Sequence, residues 1–296
     1  MKHLRFLVYS SLLIMAGCSS DSPDTPDVPN EEHLMVNLTT RAENLTEGQT
    51  LQAGLYMVNY FDGQPDELLA TNNYVNNLPL IWQNNVWAVT TPFYWNDMST
   101  PADFYAYSPY QSTVDDARLM PFSVQTDQRS DESFALSDFY WGTVQGQSPT
   151  AEGFNLTLQH ILSRLTVNVT ADAGFAEDEL KASDVSVTIG GTRTSAVVDL
   201  QTGAVNVLEG ASTDVACHNN GDFSFTAILL PQRVPFSNLI QVEWLGNRYT
   251  LQNAFLLEAK RQYNLTVKLK KTQSGFDIGI DGWDILPEDF GGIIGG

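Results

Sequence analysis

The chain is poor in the residues that build catalytic and metal sites. Its 296 residues include only two cysteines and four histidines. Two cysteines are too few for a disulfide scaffold, and no nucleophile elbow, zinc-protease motif or phosphate-binding loop is present. The acidic clusters lack the ligand spacing of a calcium loop. We therefore predict a non-enzymatic protein with no cofactor and no metal, and the sequence assigns no role to Cys217.

Positive charge is also scarce. Lys and Arg together number 15 against 35 Asp and Glu, which gives a formal net charge of −20. Binding to nucleic acid needs a basic surface that faces the phosphates, so a nucleic-acid partner is excluded. Hydrophobic residues make up 43% of the chain and aromatic residues 11%, a composition typical of a folded protein.

Long hydrophobic runs are absent, and the one apolar stretch lies at the N-terminus. Lys2 and Arg5 precede an apolar stretch at residues 6–16, which is shorter than the roughly 20 residues that span a bilayer. It ends in Met-Ala-Gly-Cys18, similar to a bacterial lipobox. We predict a signal peptide at residues 1–17 and lipidation of Cys18, which would anchor the protein in outer-membrane lipid. The alternative is an ordinary cleaved signal followed by a chance cysteine.

The next segment, residues 18–33, is acidic and proline-rich. Pro23, Pro26 and Pro29 recur every third residue among carboxylates. Such a composition favours an extended chain and cannot build a core. We expect a tether that holds the folded part away from the membrane.

The remainder alternates apolar and polar residues with the period of a β-strand. Examples are Leu165, Val167 and Val169, and the similar run from Tyr263 to Leu269. Hairpin signals occur at Asp62-Gly63, Thr202-Gly203 and Gly246-Asn247, and only residues 175–181 have a helical pattern. The prediction is an all-β protein of two β-sandwich domains, mostly antiparallel, in which each alternating run has one apolar face.

A stretch rich in Gly, Ser, Thr and Pro at residues 142–153 predicts a domain boundary. It places an N-terminal β-sandwich at residues 34–150 and a C-terminal one at residues 151–286. A glycine-rich tail follows at residues 287–296.

Six tryptophans raise the question of carbohydrate binding, because sugars stack on aromatic rings. Trp82 and Trp87 flank a predicted turn at residues 83–85 and are the candidate ligand contacts. Trp95, Trp141, Trp244 and Trp283 lie in or beside apolar strands and are expected in the core. Packing is the alternative role for Trp82 and Trp87 as well.

A series of short motifs, taken in order, resembles the fimbrillin family, the subunits and accessory lipoproteins of type V pili. The motifs are Gly54-Leu55-Tyr56-Met57, Phe93-Tyr94-Trp95, the run from Asp103 to Pro109, Thr126-Asp127-Gln128, the run from Ser137 to Trp141, the run from Leu158 to Leu165, the run from Asp199 to Gly203, and Leu230-Pro231-Gln232. The family tends to have Phe where this chain has Leu158. The resemblance implies two domains of transthyretin-like topology and a role in adhesion or pilus assembly on the cell surface.

The resemblance also implies a route of assembly. Polymerising subunits of this family lose their first strand to a trypsin-like protease, and a strand from another subunit fills the groove. Residues 34–40 form an amphipathic strand that ends beside Arg41 and Ala42, and Arg41 is the only basic residue between the signal peptide and Arg118. We predict processing between Arg41 and Ala42. Phe276, Ile278 and Ile280 alternate with polar residues or glycine and form a candidate donor strand.

Three functions remain open from the sequence. The chain is a polymerising pilus subunit, a lipid-retained pilus anchor or accessory lipoprotein, or a surface lipoprotein that binds glycans. The corresponding partners are other fimbrial subunits, outer-membrane lipid through Cys18, and a glycan or protein on a host or bacterial surface.

Overall fold

The computed structural model describes residues 34–42, 52–83, 86–171, 181–271, 278–281 and 286–289. Their regular secondary structure is almost entirely β-strand. The first half contains β1 Leu38–Ala42, β2 Gln52–Phe61, β3 Gln64–Pro65, β4 Asn73–Gln83, β5 Val86–Val89, β6 Ala102–Ser108, β7 Met120–Ser123, β8 Tyr140–Gln147 and β9 Phe154–His160. The second half contains β10 Ser163–Ala171, β11 Val185–Thr192, β12 Ser195–Asp199, β13 Ala204–Val207, β14 Thr213–Ala216, β15 His218–Gly221, β16 Ser224–Leu229, β17 Gln232–Trp244, β18 Asn247–Leu257, β19 Arg261–Lys271, β20 Ile278–Asp281 and β21 Leu286–Asp289. The all-β prediction is confirmed.

Four sheets organise these strands. The first has the order β1-β9-β8-β6-β2-β4-β5, with β3 on β2. The second has the order β15-β16-β10-β19-β20, with β21 on β19, and the third is β14-β11-β17-β18. A small fourth sheet, β13-β12-β7, joins strands from the two halves. Neighbours are mostly antiparallel, but β1 runs parallel to β9 and β10 parallel to β19.

The second half is a sandwich of the second and third sheets. Leu165, Val167 and Leu265 from one sheet share a buried core with Val187 and Val242 from the other. Here the alternation seen in the sequence holds, because each strand has one face against the partner sheet and one face outward. The predicted burial of Leu165 and Val167 is confirmed, and both are fully buried.

The first sheet is buried on both faces at its centre. Met57 and Phe104 point into one core, whereas their neighbours Tyr56 and Tyr105 point into a second core on the opposite face. Strands β2 and β6 are not among the alternating runs of the sequence, and both of their faces are apolar. The second face is covered by β7, β12 and their neighbours, which a local pattern cannot reveal.

The chain has a helix that the sequence pattern did not predict. Helix α1 spans Asp131–Ser137 and begins at Ser130, whose side chain accepts a hydrogen bond from the Ser133 amide. Asp131 and Glu132 in its first turn suit the positive end of the helix dipole. The predicted helix at residues 175–181 lies almost wholly outside the described residues.

One predicted turn is shifted by a single residue. Trp244 pairs with Asn247, so the loop of the β17–β18 hairpin is Leu245 and Gly246. Both have positive φ, 48° and 77°, as a type I′ turn requires.

The two halves are joined by a hairpin. Strands β12 and β13 follow the predicted boundary in sequence, yet β12 pairs with β7 of the first half. The Trp141 indole N–H donates to the Leu200 carbonyl at 2.7 Å, and the ring packs on Gly203. The described residues from 34 onward belong to one compact unit. The boundary near residue 150 stays a prediction, and this hairpin crosses it.

Candidate functional site

The segment at residues 34–42, called here the edge segment, lies at the border of the first sheet. Its first part pairs with residues 93–95: the Val36 amide donates to the Phe93 carbonyl at 3.0 Å, and the Trp95 amide donates to the Leu34 carbonyl at 2.9 Å. Its second part is β1, which pairs in parallel with β9 from Leu38 opposite Phe154 to Ala42 opposite Leu158. The edge segment thus provides hydrogen-bond partners for backbone groups of residues 93–95 and of β9.

The edge segment also closes the first core. Val36 is 4% exposed, Leu34 and Leu38 are half-buried against the same core, and Met35 points outward at 44% exposed. This core contains an aromatic cluster in which the Phe104 and Phe154 ring centroids lie 4.7 Å apart, and Trp95 meets Phe104 edge-on at 5.5 Å. Removing the segment would expose apolar side chains and unpaired backbone together.

The predicted processing residues are part of the strand. The sequence pattern ended the strand at Thr40, whereas β1 includes Arg41, opposite Thr157, and Ala42. A protease binds its substrate as unpaired extended backbone. Cleavage between Arg41 and Ala42 would therefore require the end of β1 to separate from β9.

The candidate donor strand already has a place in this chain. β20 pairs antiparallel with β19, from Ile278 opposite Lys271 to Asp281 opposite Lys268. Farther along the same edge, β21 pairs with β19 from Leu286 to Asp289. Phe276 lies outside the described residues. The strand-forming tendency inferred for Ile278 and Ile280 agrees with this backbone.

The candidate glycan contacts separate into two cases. Trp82 is 6% exposed and belongs to the first core, which leaves little ring surface for a sugar. Trp87 lies opposite it on β5, and its side chain is outside the described part. Of the tryptophans expected in the core, Trp95 and Trp244 are buried, Trp141 is half-buried, and Trp283 lies outside the described residues.

A buried polar cluster at the base of β8 and β9 contains the histidine of the family-like motif. His160 Nδ1 lies 2.9 Å from Asp138 Oδ1, and its ring centroid is 4.3 Å from that of Tyr140. Burial raises the pKa of the Tyr140 hydroxyl and lowers the pKa of the Arg164 guanidinium. The cluster lies in the interior, where these groups partner one another, and it fixes the turn into β10.

The free cysteine is also buried, and no metal-binding cluster accompanies it in the described residues. Cys217 is a free thiol, 3% exposed, and burial raises its pKa, which leaves it protonated at neutral pH. Within the described ranges, no group of three or more His, Cys, Asp or Glu residues could hold a metal ion.

Sequence reasoning missed the role of Gln128 between the two halves. The side-chain Nε2 of Gln128 donates to the Ile228 carbonyl, and its Oε1 accepts from the Ile228 backbone amide, both at 2.8 Å. The residue is fully buried. The Gln128 backbone amide also donates to the Ala216 carbonyl at 3.0 Å. Gln128 therefore supplies the hydrogen bonds that another strand would have made. The signal was present in the Thr126-Asp127-Gln128 motif, but a motif does not name its partner.

Some predicted features lie outside the described residues, namely the signal peptide, Cys18, the tether at residues 18–33 and the tail from residue 290. Among the residues that the structure describes, no helix is long and apolar enough to cross a membrane.

Comparisons with known proteins give the family of this chain and solved structures of similar fold. A family model described as fimbrillin-like matches residues 40–283. Two solved structures described as candidate cell adhesion proteins share the fold. One, from Bacteroides uniformis, has 18% identity and a TM-score of 0.63 and covers 88% of this chain and 99% of its own. The other, from Bacteroides ovatus, has 14% identity and a TM-score of 0.66 and covers 87% and 98%. A search of curated proteins finds no match.

Proposed function

Since this chain belongs to the fimbrillin-like family, we propose that it is a non-enzymatic, cell-surface fimbrial subunit that acts in adhesion and assembles by donor-strand exchange. For each half, the family resemblance implies a transthyretin-like topology. The partners are other fimbrial subunits. Cys18 attaches the newly exported protein to outer-membrane lipid, and the tether at residues 18–33 spaces it from the surface.

The observation that carries this proposal is the position of the edge segment. It is a border strand with an apolar face in a core, it begins directly after the tether, and it ends at the first basic residue of the exported chain. A single cut after Arg41 would leave it attached by noncovalent contacts alone. An incoming strand with the same alternation could then pair with β9 and refill the core.

Strand β20, near the C-terminus, is the proposed donor. In the monomer it lies on the outer edge of β19, and removing it uncovers one four-residue ladder. The loss of this pairing is offset when its apolar residues enter the neighbour's groove, where burial is worth about 25 cal/mol per Å². The monomer thus protects the donor until an open groove is available.

A second role within the same family is a lipid-retained anchor. It is favoured by the position of Arg41 inside the β1–β9 ladder, which protects the bond from proteolysis. An anchor keeps its N-terminal strand and its acyl chain, and it donates a strand without accepting one.

Protein sheared from cells separates these roles. The proposal expects surface material that begins at Ala42 and migrates as a ladder of oligomers in unboiled samples. Arg41→Ala protein should stay full length and monomeric. Ladders from Arg41→Ala, or surface protein that begins at Cys18, would contradict the polymerising role, and the second result would assign the chain to the anchor class.

Attachment is tested separately with Cys18→Ala. This variant should lose labelled palmitate and leave the outer-membrane fraction, whereas Cys217→Ala, the matched control, should keep both. Palmitate retained on Cys18→Ala would refute lipidation at Cys18.

A further inference from the structure

The second half contains a pocket lined by arginines on a strongly acidic protein. It has a volume of about 170 Å³ and lies where β11 ends and β17 begins. Its wall includes Arg193, Gly210, Ser212, Gln232, Arg233 and Pro235. We call it the arginine pocket. With 15 basic residues in the whole chain, two on one small pocket make a local positive site on a protein with a net charge of −20.

The two arginines stand on a fixed backbone. The Gln232 side chain accepts from the Arg193 amide and donates to the Arg193 carbonyl, both at 2.8 Å. Arg233 follows Gln232 directly, so one glutamine links the two positions. The backbone beneath the arginines is therefore already ordered, and only their side chains must be ordered when a ligand binds.

The two guanidinium groups differ in what they contact. Arg193 is paired with Glu209 at 2.7 Å, and the Glu209 side chain is 87% exposed. Arg233 is exposed, and its guanidinium makes no ion pair within the described part of the chain. Exposed ion pairs contribute little, because water competes for both charges. A carboxylate from a ligand could therefore replace Glu209 on Arg193 and also meet Arg233.

The surroundings favour a sugar as the bearer of that carboxylate. Phe236 does not itself line the pocket, but it directly follows the wall residue Pro235 and is 70% exposed. Aromatic rings present a flat apolar face to the C–H bonds of a sugar ring. Ser212 lines the same pocket and has a hydroxyl group that suits a sugar hydroxyl. Its volume is below the roughly 300–1,000 Å³ of pockets for drug-sized ligands, which suits a single terminal ring.

We propose that the arginine pocket binds the carboxylated terminal sugar of an acidic glycan. Arg193 and Arg233 hold the carboxylate in fork geometry, Phe236 supports the ring, and Glu209 occupies the site in the free protein. The inference rests on the proposed adhesive function, to which it adds a class of ligand.

Calorimetry on the purified full-length protein at low salt tests the pocket without any need for assembly. The probes are 3′-sialyllactose and trigalacturonic acid, with lactose as the uncharged match and acetate as a carboxylate without a sugar. We expect saturable binding of at least one acidic probe. Lactose and acetate should bind at least about tenfold more weakly, because lactose lacks the charge-assisted hydrogen bonds and acetate lacks the ring contacts. If the pocket bound no acidic sugar, polymerisation in cells would still be expected. This test is therefore separate from that of the proposed function.

Two substitutions should act in opposite directions. Arg233→Gln should weaken binding of the acidic probe by about tenfold or more, and Glu209→Gln should strengthen it, because Glu209 competes with the ligand. Phe236→Ala should weaken binding of the glycan and leave acetate unchanged. Arg248→Gln is the matched control, since Arg248 is an exposed arginine in the same half that pairs with Glu243 instead.

Three results would overturn the proposal. They are no saturable binding of either acidic probe up to about 10 mM, where a useful affinity would be visible, equal binding of lactose, and an effect of Arg248→Gln as large as that of Arg233→Gln.

Discussion

The two halves of the chain close their hydrophobic cores in different ways. In the second half, β10 lies inside a sheet with β16 on one side and β19 on the other. Its residues Leu165 and Val167 are fully buried. In the first half, the edge segment contributes Val36 from the border of the sheet, and Leu34 and Leu38 beside it are only half-buried.

This difference bears on the strand exchange proposed above. Removing β10 would break its ladders with β16 and β19 in the interior of a sheet. Removing the edge segment would uncover the backbone of β9 and of residues 93–95 and open the first core at its border. In the exchange proposed above, the edge segment could therefore leave from a border while β10 keeps both of its neighbours.

The largest effect is expected from a charge in the closed core. Leu165→Asp should destabilise the protein by roughly 4 kcal/mol or more, because it buries an unpaired carboxylate. Thermal melting measures the change. Asn168→Asp on the same strand is the control and should cost less than about 1 kcal/mol. Equal melting temperatures for Leu165→Asp and wild type would show that Leu165 faces solvent.

The next effect concerns the joint between the halves. Gln128→Leu leaves the amide and carbonyl of Ile228 unpaired in the interior, which should cost roughly 2–4 kcal/mol in free energy of unfolding. Denaturant titration should show this loss, and exposed Gln125 changed to Leu should show almost none. If the two variants unfolded alike, the Gln128 contact would not hold the halves together.

A smaller and more local effect is expected in the edge segment. Val36→Ala removes two buried methyl groups and should cost roughly 1–2 kcal/mol. Because the loss falls on the segment that must open, trypsin should cut after Arg41 faster than in wild type. Met35→Ala, at an outward position, is the matched control. Faster cutting in both variants to the same degree would argue against a core-facing Val36.

The smallest effect concerns the single thiol of the closed half. Burial raises the pKa of Cys217, so the thiolate that reacts with aromatic disulfides is depleted at pH 8 and below. In a Cys18→Ala background, the native protein should react far more slowly than the protein in guanidinium chloride. Immediate reaction of the native thiol would show that this core opens freely.

The sequence predicts the closed half better than the open one. The alternation at Leu165, Val167 and Val169 is sufficient for β10, because a sandwich strand has one inner and one outer face. It fails at β2 and β6, since their second faces are covered by β7 and β12 from distant parts of the chain. The strand at the N-terminus was identified, but its extension through Arg41 depends on pairing with β9, which no local pattern encodes.

The joint and the arginine pocket show the same limit. Gln128 and Gln232 each use a side-chain amide to hold a backbone unit distant in sequence, Ile228 in one case and Arg193 in the other. Both stand in the motifs that resemble the fimbrillin family. Their partners follow from tertiary structure alone, so the sequence indicated the residues without their contacts.

The most direct measurement asks whether cutting after Arg41 opens the groove to a donor. Purified protein is treated with a low dose of trypsin, separated from the released N-terminal peptide, and titrated with a fluorescent peptide of residues 274–283. Binding is followed by anisotropy. The cleaved protein should bind this peptide, and it should not bind a version that carries Asp in place of Ile278 and Ile280. Intact protein and uncut Arg41→Ala should not bind either peptide. Equal binding to intact and cleaved protein, or no binding once residues 18–41 have left, would contradict the account.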